Sequence, residues 1–174
     1  MDQTQLALAI QNNTLDQTIS AVEQERADAQ ANGDKQKAAL ASNDLGVVYT
    51  LLDRGDDARN ALSQAQALFI ETNDLAGQGR ATGNLAQVEE RAGNAEAAGA
   101  LFMQAADLLH EGNAFADEFT TRKRLSRFYL TRGATLQALS ENAKALAVKP
   151  DANGWDKFLR WLFSLPLKLM GINS

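Results

Sequence analysis

NLAQVEERAGNAEAAGALFMQA, residues 84–105, decides the fold, because its landmarks recur forty residues upstream and, in part, forty residues downstream. Leu45, Leu85 and Leu125 fall at one phase; Tyr49, Glu89 and Tyr129 fall at a second. Ala58, Ala98 and Ala138 share a third, and Ala65, Ala105 and Ala145 a fourth. Four columns in one register mark a repeat array, and self-similarity at a fixed period outranks other sequence signals. The small Ala column lets the second helix of each pair approach the first, while the Leu column, Tyr49, Leu62, Phe102 and Tyr129 fill the space between. One pair cannot bury its apolar face; stacked copies can. The function expected of such a chain is binding rather than chemistry.

The residues in the columns form recognisable strings. Leu45, Gly46 and Tyr49 spell L-G-x-x-Y, Leu125 and Tyr129 repeat it with Ser126 for Gly, Ala98 and Phe102 give A-x-x-x-F, and Pro150 follows Ala145. The pattern resembles the tetratricopeptide repeat, and at forty residues it is most similar to the long-helix subclass. The resemblance covers residues 34 to about 150 and implies an all-α, right-handed solenoid of antiparallel helix pairs. Glu89 stands where an aromatic is expected, Asn142 replaces the bulk of Leu62 and Phe102, and no Trp opens any copy.

Composition agrees with a helical array. The 174 residues are Ala-rich and Pro-poor with 45% hydrophobic residues, enough for one short solenoid with a real core. No Cys is present, which excludes disulfides and thiolate metal sites and fits a reducing, cytoplasmic location. A net charge of -5 and a pI near 4.9 argue against nucleic acid as partner. The opening MDQTQLALAI has no basic n-region and no long apolar run, so no export signal is expected, and no stretch suffices to span a bilayer.

Taken in order, residues 1–33 read as a worn first copy acting as an N-terminal cap. It holds a short helix at 2–11 and a second one started by a Thr14/Gln17 capping box. Copies at 34–73, 74–113 and 114–150 follow, with helices at about 35–53, 57–72, 75–92, 95–111, 115–131 and 134–148. The expected turns are RGDD at 54–57, where Gly55 supplies a permissive backbone, Asn73–Asp74, Gly93–Asn94, Asn113 and Gly133. Residues 151–174 form a Trp-rich tail, with Asn153 capping a helix that starts at Trp155 and is interrupted near Pro166.

Catalytic chemistry finds little support. His110 is the only histidine, which rules out a two-His metal site and suits a helix C-terminal cap. No phosphate-loop, dinucleotide or nucleophile-elbow string occurs, and Asp56–Asp57 and Glu89–Glu90 read as solvated faces or caps. No enzyme activity, cofactor or metal is expected.

The groove is the sharper expectation. The resemblance implies that Leu40, Asn43, Asp44 and Val47, then Arg80, Gly83, Asn84 and Gln87, then Thr120, Lys123, Arg124 and Arg127 line a concave face that turns basic along the chain. Such an end suits a carboxylate or an acidic peptide, with Asn84 and Gln87 pairing to peptide backbone. Family members that clamp a carboxylate use Lys, Asn and Arg there; Asn84, Arg124 and Arg80 match in type, while Val47 and Asn43 depart. The plainer alternative makes Arg122, Lys123, Arg124 and Arg127 one solvated face balanced by Asp117 and Glu118.

The tail allows three roles: a cap, a docking helix for a second copy or another subunit, and a membrane-surface anchor with Lys157, Arg160 and Lys168 beside Trp and Phe. Trp155, Leu159 and Leu162 are expected to pack on the last repeat, leaving Phe158, Trp161 and Leu165 as a second stripe. Each such side chain left in water forgoes roughly 1.5–3 kcal/mol of burial. Apolar residues encircle the helix too fully for a sharply two-faced interfacial segment. The sequence thus favours a protein-binding scaffold or adaptor with a second contact at Trp155, Phe158, Trp161, Leu162 and Leu165; the alternative is a peripheral membrane or complex-assembly factor anchored by the tail.

Overall fold

Helices follow one another at a twenty-residue beat. The computed structural model describes residues 15–169, in which eight helices and no strand occur. They are α1 (Leu15–Ala31), α2 (Lys35–Leu51), α3 (Gly55–Glu71), α4 (Leu75–Arg91), α5 (Ala95–Glu111), α6 (Phe115–Leu130), α7 (Thr135–Val148) and α8 (Gly154–Leu169). The helix expected over 2–11 and Thr14 of the expected capping box lie outside the described residues.

One turn is used six times. Gly33, Asp53, Asn73, Gly93, Asn113 and Gly133 adopt positive φ between 53° and 82°, twenty residues apart. After each, the next backbone N–H reaches back five residues, as in Asp34 N to Ala29 O at 2.8 Å and Arg54 N to Tyr49 O at 2.9 Å. This pattern satisfies carbonyls that a helix end would otherwise orphan. The turn between α2 and α3 therefore falls at Asp53, not in the RGDD segment, and Gly55 is the first residue of α3. Asp34 and Asp74 cap the helices after them, their carboxylates accepting from Lys37 N and Gly77 N at 3.0 and 2.7 Å. Such caps are worth about 1 kcal/mol each.

Each helix packs on the next along the chain, and α2 also touches α4 across the pair boundary. The molecule is thus an α-solenoid in which α2, α4 and α6 form one layer and α3, α5 and α7 the other. The columns are its core: Leu45, Leu125, Ala58, Ala98, Ala138, Ala65, Ala105 and Ala145 are all buried, while Leu85 is partly covered. Instead of one closed nucleus, apolar clusters follow one another, one around Leu45, Tyr49 and Leu62 and another around Phe102, Leu125 and Phe128. Close approach is literal at Gly46, where a Cβ would collide with the buried Leu62 side chain. Gly112 is similar, since a Cβ there would lie 2.7 Å from the Ala76 backbone nitrogen.

The tail helix departs from expectation in two ways. It runs unbroken through Pro166 to Leu169, the proline giving up only its own N–H, which would otherwise bond to the carbonyl of Leu162. Its packed face carries Asp156, Leu159, Phe163 and Ser164, whereas Trp155 and Leu162 point outward with Phe158 and Trp161. Contrary to the encircled pattern, α8 is the most strongly two-faced of the described helices.

Candidate interaction surfaces

The first-helix layer carries the predicted groove residues, and they divide into three environments. Asn43, Asn84 and Gln87 form an amide ladder: Asn84 Nδ2 donates to Asn43 Oδ1 at 3.0 Å, and Gln87 Nε2 donates to Asn84 Oδ1 at 3.2 Å. The ladder joins α2 to α4 and leaves Asn84 one further N–H for a ligand. Val47 is half-buried and packs against the first core cluster, so it fills the stack more than it lines a surface. Arg80 is held between Asp117 at 3.2 Å and Asp74 at 4.0 Å, which neutralises it.

The basic end is different. Lys123, Arg124 and Arg127 line a cavity of about 570 Å³ with Phe119 and Phe128, and Glu90 is the one acid among the lining residues. All three cations are exposed. Lys123 Nζ donates to Asn142 Oδ1 at 2.8 Å. Neither Arg124 nor Arg127 makes an ion pair or side-chain hydrogen bond among the described residues. Desolvation lowers the Arg124 guanidinium's pKa, with the like charges of Arg127 and Arg91 adding to it and Glu90 opposing. It stays cationic at neutral pH, and the three like charges are poised to gain from an incoming anion. Arg132 is kept out of this site: it lies over the Phe128 ring at 3.7 Å and 3.9 Å from Glu90.

Arg122 does not belong to a solvated face. It is buried between α6 and its neighbours, with Nε donating to Glu118 at 2.7 Å and Nη1 to Glu141 at 2.9 Å. Burial works against its charge, but the bonds to Glu118 and Glu141 outweigh that and raise its pKa above the ordinary value. His110 joins the same cluster through a 2.9 Å contact from Nδ1 to Glu118, bridging α5 to α6 instead of capping a helix end. Glu89 is likewise no solvated acid. It is mostly covered and accepts from Arg59 Nε and Asn94 Nδ2, each at 2.6 Å, and the Arg59 bond leads in lowering its pKa. Every buried side-chain polar atom among the described residues has a partner, and a cavity of about 370 Å³ opens beside the Arg122 cluster, lined by Asp107, His110, Glu118, Arg122 and Lys144. Among the described residues no group of three or more His, Cys, Asp or Glu is placed to hold a metal ion.

The second surface is α8. Asn153 Oδ1 accepts from Asp156 N and Asp156 Oδ2 accepts from Asn153 N, both at 3.0 Å, forming a reciprocal capping box. Lys149 Nζ contacts both Asp156 oxygens at 2.9 Å, tying the helix start to the end of α7. These bonds, led by Lys149, hold the Asp156 carboxyl below its ordinary pKa. The docking it contributes is therefore complete above the unfolded-state value of about 4 and is lost as pH falls through the lower folded value. Both tryptophans lie on α8, so their emission reports this helix. A change in emission is expected below about pH 4, and Asp156→Asn should bring that change about already at neutral pH.

No protein-family model matches the chain, and no curated protein matches it at a significant level. Among the described residues no helix is long and apolar enough to cross a membrane.

Proposed function

We propose that this chain is a non-catalytic, cytoplasmic scaffold or adaptor of the tetratricopeptide type, in the long-helix subclass, holding an extended acidic segment of a partner protein along its first-helix layer. The observation that carries the reading is the Lys123–Arg124–Arg127 cavity, whose lining has one acid and two arginines without ion pairs. The Asn43–Asn84–Gln87 ladder supports it by placing amide groups where an extended backbone would run. Arginine suits this role because its planar fork can grip a carboxylate through two bonds. Helix α8 supplies the second contact.

Fluorescence anisotropy with labelled acidic and basic peptides tests the groove. The native protein should prefer the acidic peptide and lose affinity as salt rises. Combined Lys123→Glu, Arg124→Glu and Arg127→Glu should weaken that binding on the order of tenfold or more with little change in fold, since all three side chains are exposed. Equal affinity for both peptides, or undiminished capture by the reversed protein, would retire the reading.

A further inference from the structure

We infer that α8 is a docking helix for anionic membrane surfaces, lying flat with its aromatic row in the lipid interface and its basic flank on the phosphate headgroups. The row is Trp155, Phe158, Leu162, Leu165 and Leu169, at helical spacing on one side. All but Leu165 are exposed, and Trp161 extends the row at its edge. Trp155 stacks on Phe158 with ring centroids 5.2 Å apart, and Phe158 meets Trp161 at 5.9 Å. Beside them Lys157, Arg160 and Lys168 join Lys144 of α7 in lining a cavity of about 350 Å³, with no acid among its lining residues.

Charge selects the occupant. The acid of α8, Asp156, is buried and committed to Lys149 and the helix cap, so the outward face presents only apolar and cationic groups. From Glu141 to Ser174 the chain carries five Lys or Arg and three Asp or Glu, whereas the whole chain is net -5. A negative bilayer would attract this end, repel the rest, and so orient the solenoid away from the surface. A neighbouring α8 from a second copy would bring like charges together in a two-fold contact. Amphipathic flanks suit the interface as well, since Lys and Arg stems lie along apolar surface while their heads reach phosphate. The sixteen described residues of α8 are not long and apolar enough to cross a membrane.

The inference rests on α8 as a contact surface and is independent of the groove. Tryptophan emission and co-sedimentation with vesicles of phosphatidylcholine alone, or containing roughly a third phosphatidylserine, give the readout. A blue shift and pelleting are expected with the anionic vesicles and neither with the neutral ones. Lys157→Glu, Arg160→Glu and Lys168→Glu together should weaken binding about a hundredfold or more, at roughly 1 kcal/mol per basic residue. Trp155→Ser with Phe158→Ser should abolish pelleting while leaving acidic-peptide binding intact, and the groove reversal should leave vesicle binding intact. No response to anionic vesicles, equal binding by the α8 charge-reversed protein, or a solution dimer dissolved by Trp155→Ser and Phe158→Ser in a protein that ignores vesicles would overturn the assignment.

Discussion

Arg122→Met is expected to lower the unfolding free energy by about 3–5 kcal/mol, because it strands two buried carboxylates that share one guanidinium. Glu118 and Glu141 are each more than nine-tenths covered and lie 2.7 and 2.9 Å from Arg122. Methionine of similar length fills the space but supplies no donor. Lys144, at 2.8 Å from Glu141, and His110, at 2.9 Å from Glu118, offset part of the loss from the cluster's edge. Urea unfolding followed by circular dichroism measures the change. Adding Glu118→Gln and Glu141→Gln to Arg122→Met should recover much of the stability, which a loss of packing alone would not allow. If the single change costs less than about 1 kcal/mol, the cluster is not what fixes α6 against α5 and α7.

Phe102→Ala should cost a similar amount, about 3–5 kcal/mol, and should also split the unfolding transition. Phe102 is fully buried, meets Phe128 edge-on with centroids 5.9 Å apart, and packs with Ala86, Ala98 and Leu125. It therefore sits where α5 joins both α4 and α6. In a solenoid, stability is nearly a sum of repeat and nearest-neighbour contributions, so a weakened middle lets the two ends melt apart. Tryptophan emission reports α8, whereas far-ultraviolet circular dichroism reports every helix. The two should coincide in the native protein and separate in Phe102→Ala, with emission changing at lower urea. Coincident transitions in the variant would mean that the stack behaves as one cooperative block.

The repeat was legible because packing imposes it. Positions that face a neighbouring helix must be small or apolar at every copy, and the Leu45 and Ala58 columns kept that requirement visible over forty residues. Turns at Asn73, Gly93, Asn113 and Gly133 were legible too, since Gly and Asn tolerate positive φ. Asp53 was hidden by the nearby Gly55, which drew the turn two residues too far. The register could have exposed Arg122, for it occupies the column of Ser42 and Thr82, both buried. Its place in the run RKR made it look solvated, when helical phase puts Arg122 inward and Lys123 and Arg124 outward. The face of α8 was the hardest to read, because large apolar side chains stand both on the packed side, at Leu159 and Phe163, and on the outward row, and the capping box and the Lys149 pair settle which side meets α7. The pairing of Arg80 with Asp117 was equally invisible, as it joins residues thirty-seven apart in sequence.

The repeated turn also limits how the chain can change length. An added residue inside any helix rotates every later side chain by about 100° and carries polar positions into the contacts between copies. A whole helix-plus-turn of twenty residues would restore the rotation but exchange the two layers, putting the basic cavity on the opposite side. Only a complete pair preserves both phase and layer. Lineages of this protein should therefore grow or shrink by whole pairs, lengthening the binding face while the tail helix keeps the same last repeat beneath it.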